Sequence, residues 1–122
     1  ATGLMVAEAL KARDLLKAEG IDAGVMNMST IKPLDTEAVV AAAKRCGALV
    51  TAEEHSIIGG LGGAVAETLA ENAPVPLVRV GVKDAFGTSG DHEGLLKHYG
   101  MSAENIAAAV REAVARKNAA AR

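Results

Sequence analysis

Helix-like and strand-like segments alternate four times along this chain, joined by short connections and no long polar linker. Met5, Ala9, Ala12 and Leu16 recur at spacings of four, three and four, which makes one apolar helical stripe. Gly20 follows where a left-handed C-cap belongs. Residues 21–28 read as a strand, with Ile21, Ala23 and Val25 alternating against smaller or polar neighbours. Pro33 pushes Lys32 out of helical geometry, so residues 29–34 read as a loop. Asp35 then caps a second helix, Leu34 staples onto Val39, and the helix runs to Cys46 and stops at Gly47. Residues 48–53 form a nearly continuous apolar run, as expected of a strand covered on both faces. After a glycine-rich turn, Leu61, Val65 and Leu69 mark the inner face of a third helix. Pro74 and Pro76 end it and lead into a strand over residues 77–82. Residues 83–91 read as loop, and residues 93–99 as a short helix ending at Gly100. Ser102 caps the last long helix, Met101 staples onto Ile106, and the tail from residue 117 is expected to fray.

Strands separated by helices imply a three-layer α/β/α domain with a mostly parallel sheet. Three internal strands are few for such a sheet. The opening Ala1-Thr2-Gly3 reads as the loop after a strand, so a first strand is expected to be missing or supplied elsewhere. The 122 residues fit a single domain spanning 1–122. Hydrophobic residues make up 50% of them, enough for a real core. Phe86 and Tyr99 are the only aromatics, so that core is built from Ala, Val, Leu, Ile and Met, and base-stacking platforms are absent. A net charge of −2 supplies no field toward nucleic acid or an anionic membrane. No apolar run approaches the ~18 residues that span a bilayer, and the N-terminus lacks a signal-peptide pattern. Cys46 is the single cysteine, which excludes an internal disulfide and a Cys-x-x-Cys pair. It is expected as a small buried hydrophobe near a helix end, in a cytoplasmic setting.

Ligands of open parallel sheets bind beyond the C-terminal strand ends. There the sequence places Thr2-Gly3-Leu4, residues 30–34, the run from Glu53 to Gly63, and residues 83–92. Glu53, Glu54 and His55 could do acid–base work, and Gly59, Gly60, Gly62 and Gly63 could cradle phosphate at a helix start. These glycines match neither the Walker loop nor the dinucleotide fingerprint. The alternative is that they let the helix approach the sheet or a partner closely. In the second cluster, Ser89-Gly90-Asp91-His92, Asp91 could orient His92, or both could simply cap the helix that follows. His98 is expected exposed or packed on its neighbour. A metal needs three or four convergent ligands, and only His55, His92 and nearby carboxylates offer themselves, so no metal site is expected.

Residues 51–67, Thr-Ala-Glu-Glu-His-Ser-Ile-Ile-Gly-Gly-Leu-Gly-Gly-Ala-Val-Ala-Glu, resemble the C-terminal domain of transketolases and related thiamine enzymes. Residues 27–35 resemble the same family's second strand and following loop. Residues 80–90 with residues 95–100 extend the match, and Ala1-Thr2-Gly3 fits the end of its first strand. The resemblance implies an assembly domain of an enzyme that moves a two-carbon ketol unit between sugar phosphates. In that family thiamine diphosphate and magnesium lie on other domains, through a Gly-Asp-Gly motif that this chain lacks. No catalytic, cofactor-binding or metal-binding residue is therefore expected in this chain. Its partners would be the remaining transketolase domains or a separate N-terminal subunit, in a homodimer or heterotetramer. Glu54, His55, Gly59, Gly60, Gly62 and Gly63 are the expected interdomain contact, and Gly60→Val is expected to weaken assembly while leaving the domain folded. Two alternatives stay open: a 2-oxoacid dehydrogenase beta-subunit domain, or a free-standing anion- or nucleotide-binding module using Thr88, Ser89, Asp91 and His92.

Overall fold

The computed structural model describes residues 1–83 and 90–121. The sequence stripe at Met5, Ala9, Ala12 and Leu16 is buried along α1 (Met5–Ala18), and Gly20 turns the chain out of it at φ 80°. Asp35 accepts a hydrogen bond from Ala38 N–H at 3.1 Å and starts α2 (Thr36–Cys46), which Gly47 ends at φ 75°. β1 (Leu49–Ser56) leads into α3 (Leu61–Asn72), and β2 (Leu77–Val82) follows. β1 and β2 pair in parallel from Leu49 opposite Leu77 to Ala52 opposite Val80, with an irregularity before Ser56. Asp91 caps α4 (His92–His98), and Ser102 with Asn105 forms a capping box on α5 (Ala103–Ala120).

The layers are visible in the two apolar clusters. On one face of the sheet α1 and α5 bury Met5, Leu16, Ile106 and Ala107 against Ala52 and Val80. On the other, α2 and α3 bury Val39, Ala43, Val65 and Leu69, with Leu49 and Leu77 packed against them. Both expected staples fall inside these clusters, Met101 with Ile106 and Leu34 with Val39. The α/β class is as the alternation implied.

Three expectations are corrected. Residues 21–28 are not paired as a strand: among the described residues the sheet is two-stranded, β1 with β2. The inward alternation of Ile21, Ala23 and Val25 survives, since all three pack on the α1/α5 cluster, but among the described residues no strand pairs with them. Cys46 is exposed, because it occupies the solvent side of the last turn of α2. The helix α5 continues past residue 117 to Ala120, and the Lys117 ammonium is tied to the Cys46 carbonyl oxygen at 2.7 Å. That bond satisfies one of the orphan carbonyls at the end of α2.

Candidate functional site

The C-terminal end of β1 brings Glu53, Glu54 and His55 to a cleft of about 420 Å³ that also touches Thr2, Leu4 and Ile31. Burial along β1 stops after Glu53. Glu53 turns inward and is 1% exposed. Its carboxylate accepts from Leu61 N–H at 2.8 Å and Gly62 N–H at 2.9 Å, so both oxygens are spent on the first amides of α3. A carboxylate at a helix N-terminus satisfies orphan donors and complements the dipole there. It serves there as a structural group that caps α3.

The four glycines separate by cause. A Cβ on Gly60 would lie 2.0 Å from a Glu53 carboxylate oxygen, and one on Gly62 would lie 2.8 Å from Arg79 Cδ. Gly59 has φ 74°, and a Cβ on Gly63 would meet nothing within 4 Å. Close approach of helix to strand therefore accounts for Gly60 and Gly62, backbone conformation for Gly59, and neither for Gly63. One consequence corrects an expectation: Gly60→Val would displace Glu53 and disturb the domain itself, so it tests the fold and not an interface.

Glu54 and His55 are exposed. His92 Nδ1 lies 3.8 Å from Glu54 Oε1, with both side chains about half in solvent, while His55 Nδ1 lies 2.9 Å from the Ser56 carbonyl oxygen. Asp91 takes the capping role, accepting from Gly94 N–H at 3.1 Å. His98 is exposed and meets the Tyr99 ring edge-on at 4.9 Å. Thr88 and Ser89 lie outside the described residues. The structure thus brings Glu54 of β1 near His92 of α4, and among the described residues no ion pair but this one involves either side chain. Leu4 and Ile58, which lie in segments that the sequence placed at the strand ends but were not singled out there as contact residues, are 63% and 62% exposed. Their signal was available: both are large apolar residues beside glycine in turns between elements.

The sequence profile described as "Transketolase, C-terminal domain" matches residues 1–106. The chain belongs to the transketolase C-terminal-domain family. It is 53% identical over 118 residues to a 6-deoxy-6-sulfo-D-fructose transketolase subunit of Clostridium sp. (strain MSTE9), covering 97% of this chain and 37% of that protein. It is 43% identical to 1-deoxy-D-xylulose-5-phosphate synthase of Syntrophotalea carbinolica over 91% of this chain and 18% of the other. Among solved structures, a split-gene transketolase described as an inactive β4 tetramer superposes with TM-score 0.92 at 52% identity, over 95% of this chain and 38% of that one. A transketolase C-terminal domain of this size therefore spans at most about two fifths of these relatives.

Transketolase-family enzymes depend on thiamine diphosphate. The described residues of this C-terminal domain do not fit that group. Its cleft is lined by Glu53 and Glu54, whose charge opposes a diphosphate, and Glu53 has already taken the helix amides that would have bound one. Among the described residues no three His, Cys, Asp or Glu side chains converge on a metal position. No helix among them is long and apolar enough to cross a membrane.

Proposed function

We propose that this chain is the assembly domain of a transketolase that transfers a two-carbon ketol unit between sugar phosphates. Thiamine diphosphate and magnesium sit on the remaining domains or on a separate N-terminal subunit, within a homodimer or heterotetramer. The observation that carries this reading is the end of β1. Its one buried acid is consumed internally, while Leu4 and Ile58 stand in solvent at the rim. Exposed large apolar groups beside polar ones mark a surface that another chain covers. The contact is redrawn accordingly. Glu54, His55, Gly59 and Gly63 remain surface candidates, Leu4 and Ile58 join them, and Gly60 and Gly62 support the contact from beneath. The subunit names of the relatives and the tetramer of the structural neighbour support association with other transketolase chains.

The test is to express the tagged chain in its source cells, weigh what co-purifies and assay ketol transfer. Recovery of a larger thiamine-diphosphate-binding chain with activity is the expected result. The double variant Leu4→Glu with Ile58→Glu should lower that recovery at least about tenfold with the fold unchanged by circular dichroism, as loss of a buried apolar anchor does. Undiminished recovery would overturn the assignment of this surface.

A further inference from the structure

The cleft at the end of β1 is lined by a buried charge that lacks a counter-charge. Glu53 is 1% exposed there. Both oxygens of its carboxylate accept from amides, as those of an ionised group do. Amides and a helix dipole replace only part of what water gives an ion, and a buried ion is costly unless it is paired. Among the described residues no lysine or arginine side chain pairs with Glu53 or Glu54, and none lines the cleft. The Ala1 ammonium feels the Glu53 charge through space, but its own hydrogen bond goes to Met26 O at 3.0 Å. Gly59 and Gly60 line the same cleft, and the position of a Cβ on Gly60 falls 2.0 Å from a Glu53 oxygen. The wall beside the carboxylate is therefore bare backbone.

Glu54 supplies a second carboxylate that is free to bind. It follows Glu53 on β1, and its side chain is 43% exposed. Its one ionisable contact is the His92 ring at 3.8 Å, which carries charge only when protonated. A ring at that distance is a loose partner, so the carboxylate keeps lone pairs for another donor. Leu4 and Ile31 give the same cleft an apolar lining. Two acids, an apolar lining and no base are the complement of a lysine or arginine side chain. Such a side chain lays its aliphatic stem on apolar surface while its charged head meets carboxylates.

We propose that this cleft receives a basic side chain of the thiamine-diphosphate-binding chain, whose cationic head pairs directly with Glu54 and answers the buried charge of Glu53 through space. The inference rests on the assembly reading and adds the partner's chemistry to it. A free metal ion is the poorer occupant, because it needs several convergent ligands and the described residues offer no such group. A side chain from a facing surface is held by that surface as well, and the exposed Leu4 and Ile58 mark where such a surface would lie. Covering the cleft expels water, which strengthens the pair between the cation and Glu54.

The test reads the dissociation constant of the complex between this chain and the thiamine-diphosphate-binding chain, at low and at high salt. Glu54→Gln keeps the shape of the side chain and removes its charge. It should weaken the complex at least about tenfold at low salt and flatten the salt dependence. The free variant should melt as the unaltered chain does, because Glu54 makes no close bond in it. Glu54→Lys should weaken the complex further. Changing each lysine and arginine of the partner to glutamate in turn should then find one position that restores binding to Glu54→Lys. Undiminished affinity of Glu54→Gln, beside a tight unaltered complex, overturns the proposal and leaves the assembly reading standing. Lost affinity with no restoring position also overturns it, by assigning Glu54 to a neutral donor. If the unaltered chain binds no thiamine-diphosphate-binding chain, the assembly reading falls and the proposal with it.

Discussion

Glu53 shows how one side chain can be misread as chemistry and do structural work. In the sequence it stands in an acidic pair beside a histidine. In the structure only its neighbour Glu54 is free to meet another side chain, His92 at 3.8 Å. Burial along β1 stops between the two, but it takes the coordinates to show that the inward carboxylate reaches the amides of Leu61 and Gly62. Removing a buried acceptor leaves its donors unsatisfied at about 1–3 kcal/mol each. Glu53→Ala should therefore cost about 2–6 kcal/mol in urea unfolding, and Glu53→Gln should recover only part, because its NH₂ cannot accept from a second amide. A second residue-scale expectation concerns pH. The folded-state pKa of the Ala1 amine is lowered below 8.0, chiefly by burial and against the pull of Glu53. Below the lowered value both folded and unfolded amines are charged, and the burial penalty is fully felt. The unfolded chain binds more protons between the two values, so stability rises with pH through that window and levels off above about pH 8. Tm should climb with rising pH and level off above about pH 8, and Nα-acetylation should remove that climb.

Elements whose cause is local were legible in the sequence. The α1 stripe, the Asp35 and Ser102 caps and the Gly47 stop all rest on interactions within a few residues. The glycine-rich turn was legible only in type. Gly60 and Gly62 serve close approach, yet which of the four glycines do so depends on where Glu53 and Arg79 lie. Residues 21–28 were misread for a different reason. Their alternation and inward packing match a strand, but a strand exists only with a partner, and partner identity is not a local property. The end of α5 is likewise non-local, since Lys117 is held by Cys46 from another helix. A local element gives a local prediction. Ser102→Ala removes the side chain that accepts from Asn105 N–H, and the reciprocal bond from Ser102 N–H to Asn105 loses its setting. The expected cost is about 1 kcal/mol, read as a lower urea midpoint at unchanged slope.

At the scale of the whole molecule the chain exposes more surface than its mass calls for. Its accessible area is 7291 Å². A compact monomer of 12.4 kDa is expected to expose about 6,100 Å². The excess is the size of a modest protein interface, and two features of the fold account for its character. One is the open groove beside β1, walled by the two apolar clusters. The other is the strand-end rim, where Leu4 and Ile58 are more than three-fifths exposed. Both are surfaces that a larger assembly would cover, and relatives nearly three times as long have the chain to do it. An apolar dye such as ANS distinguishes this from a merely irregular polar surface, because it brightens only where accessible apolar area is contiguous. The isolated chain at neutral pH should enhance ANS fluorescence several-fold over a compact α/β protein of equal size, with its near-ultraviolet and amide-exchange signatures still those of a folded protein. Addition of the thiamine-diphosphate-binding chain should quench the part due to the rim, and Leu4→Glu with Ile58→Glu should remove that same part beforehand. If the dye stays dark, the excess area is dispersed and polar, and the surface proposed for assembly loses its physical basis.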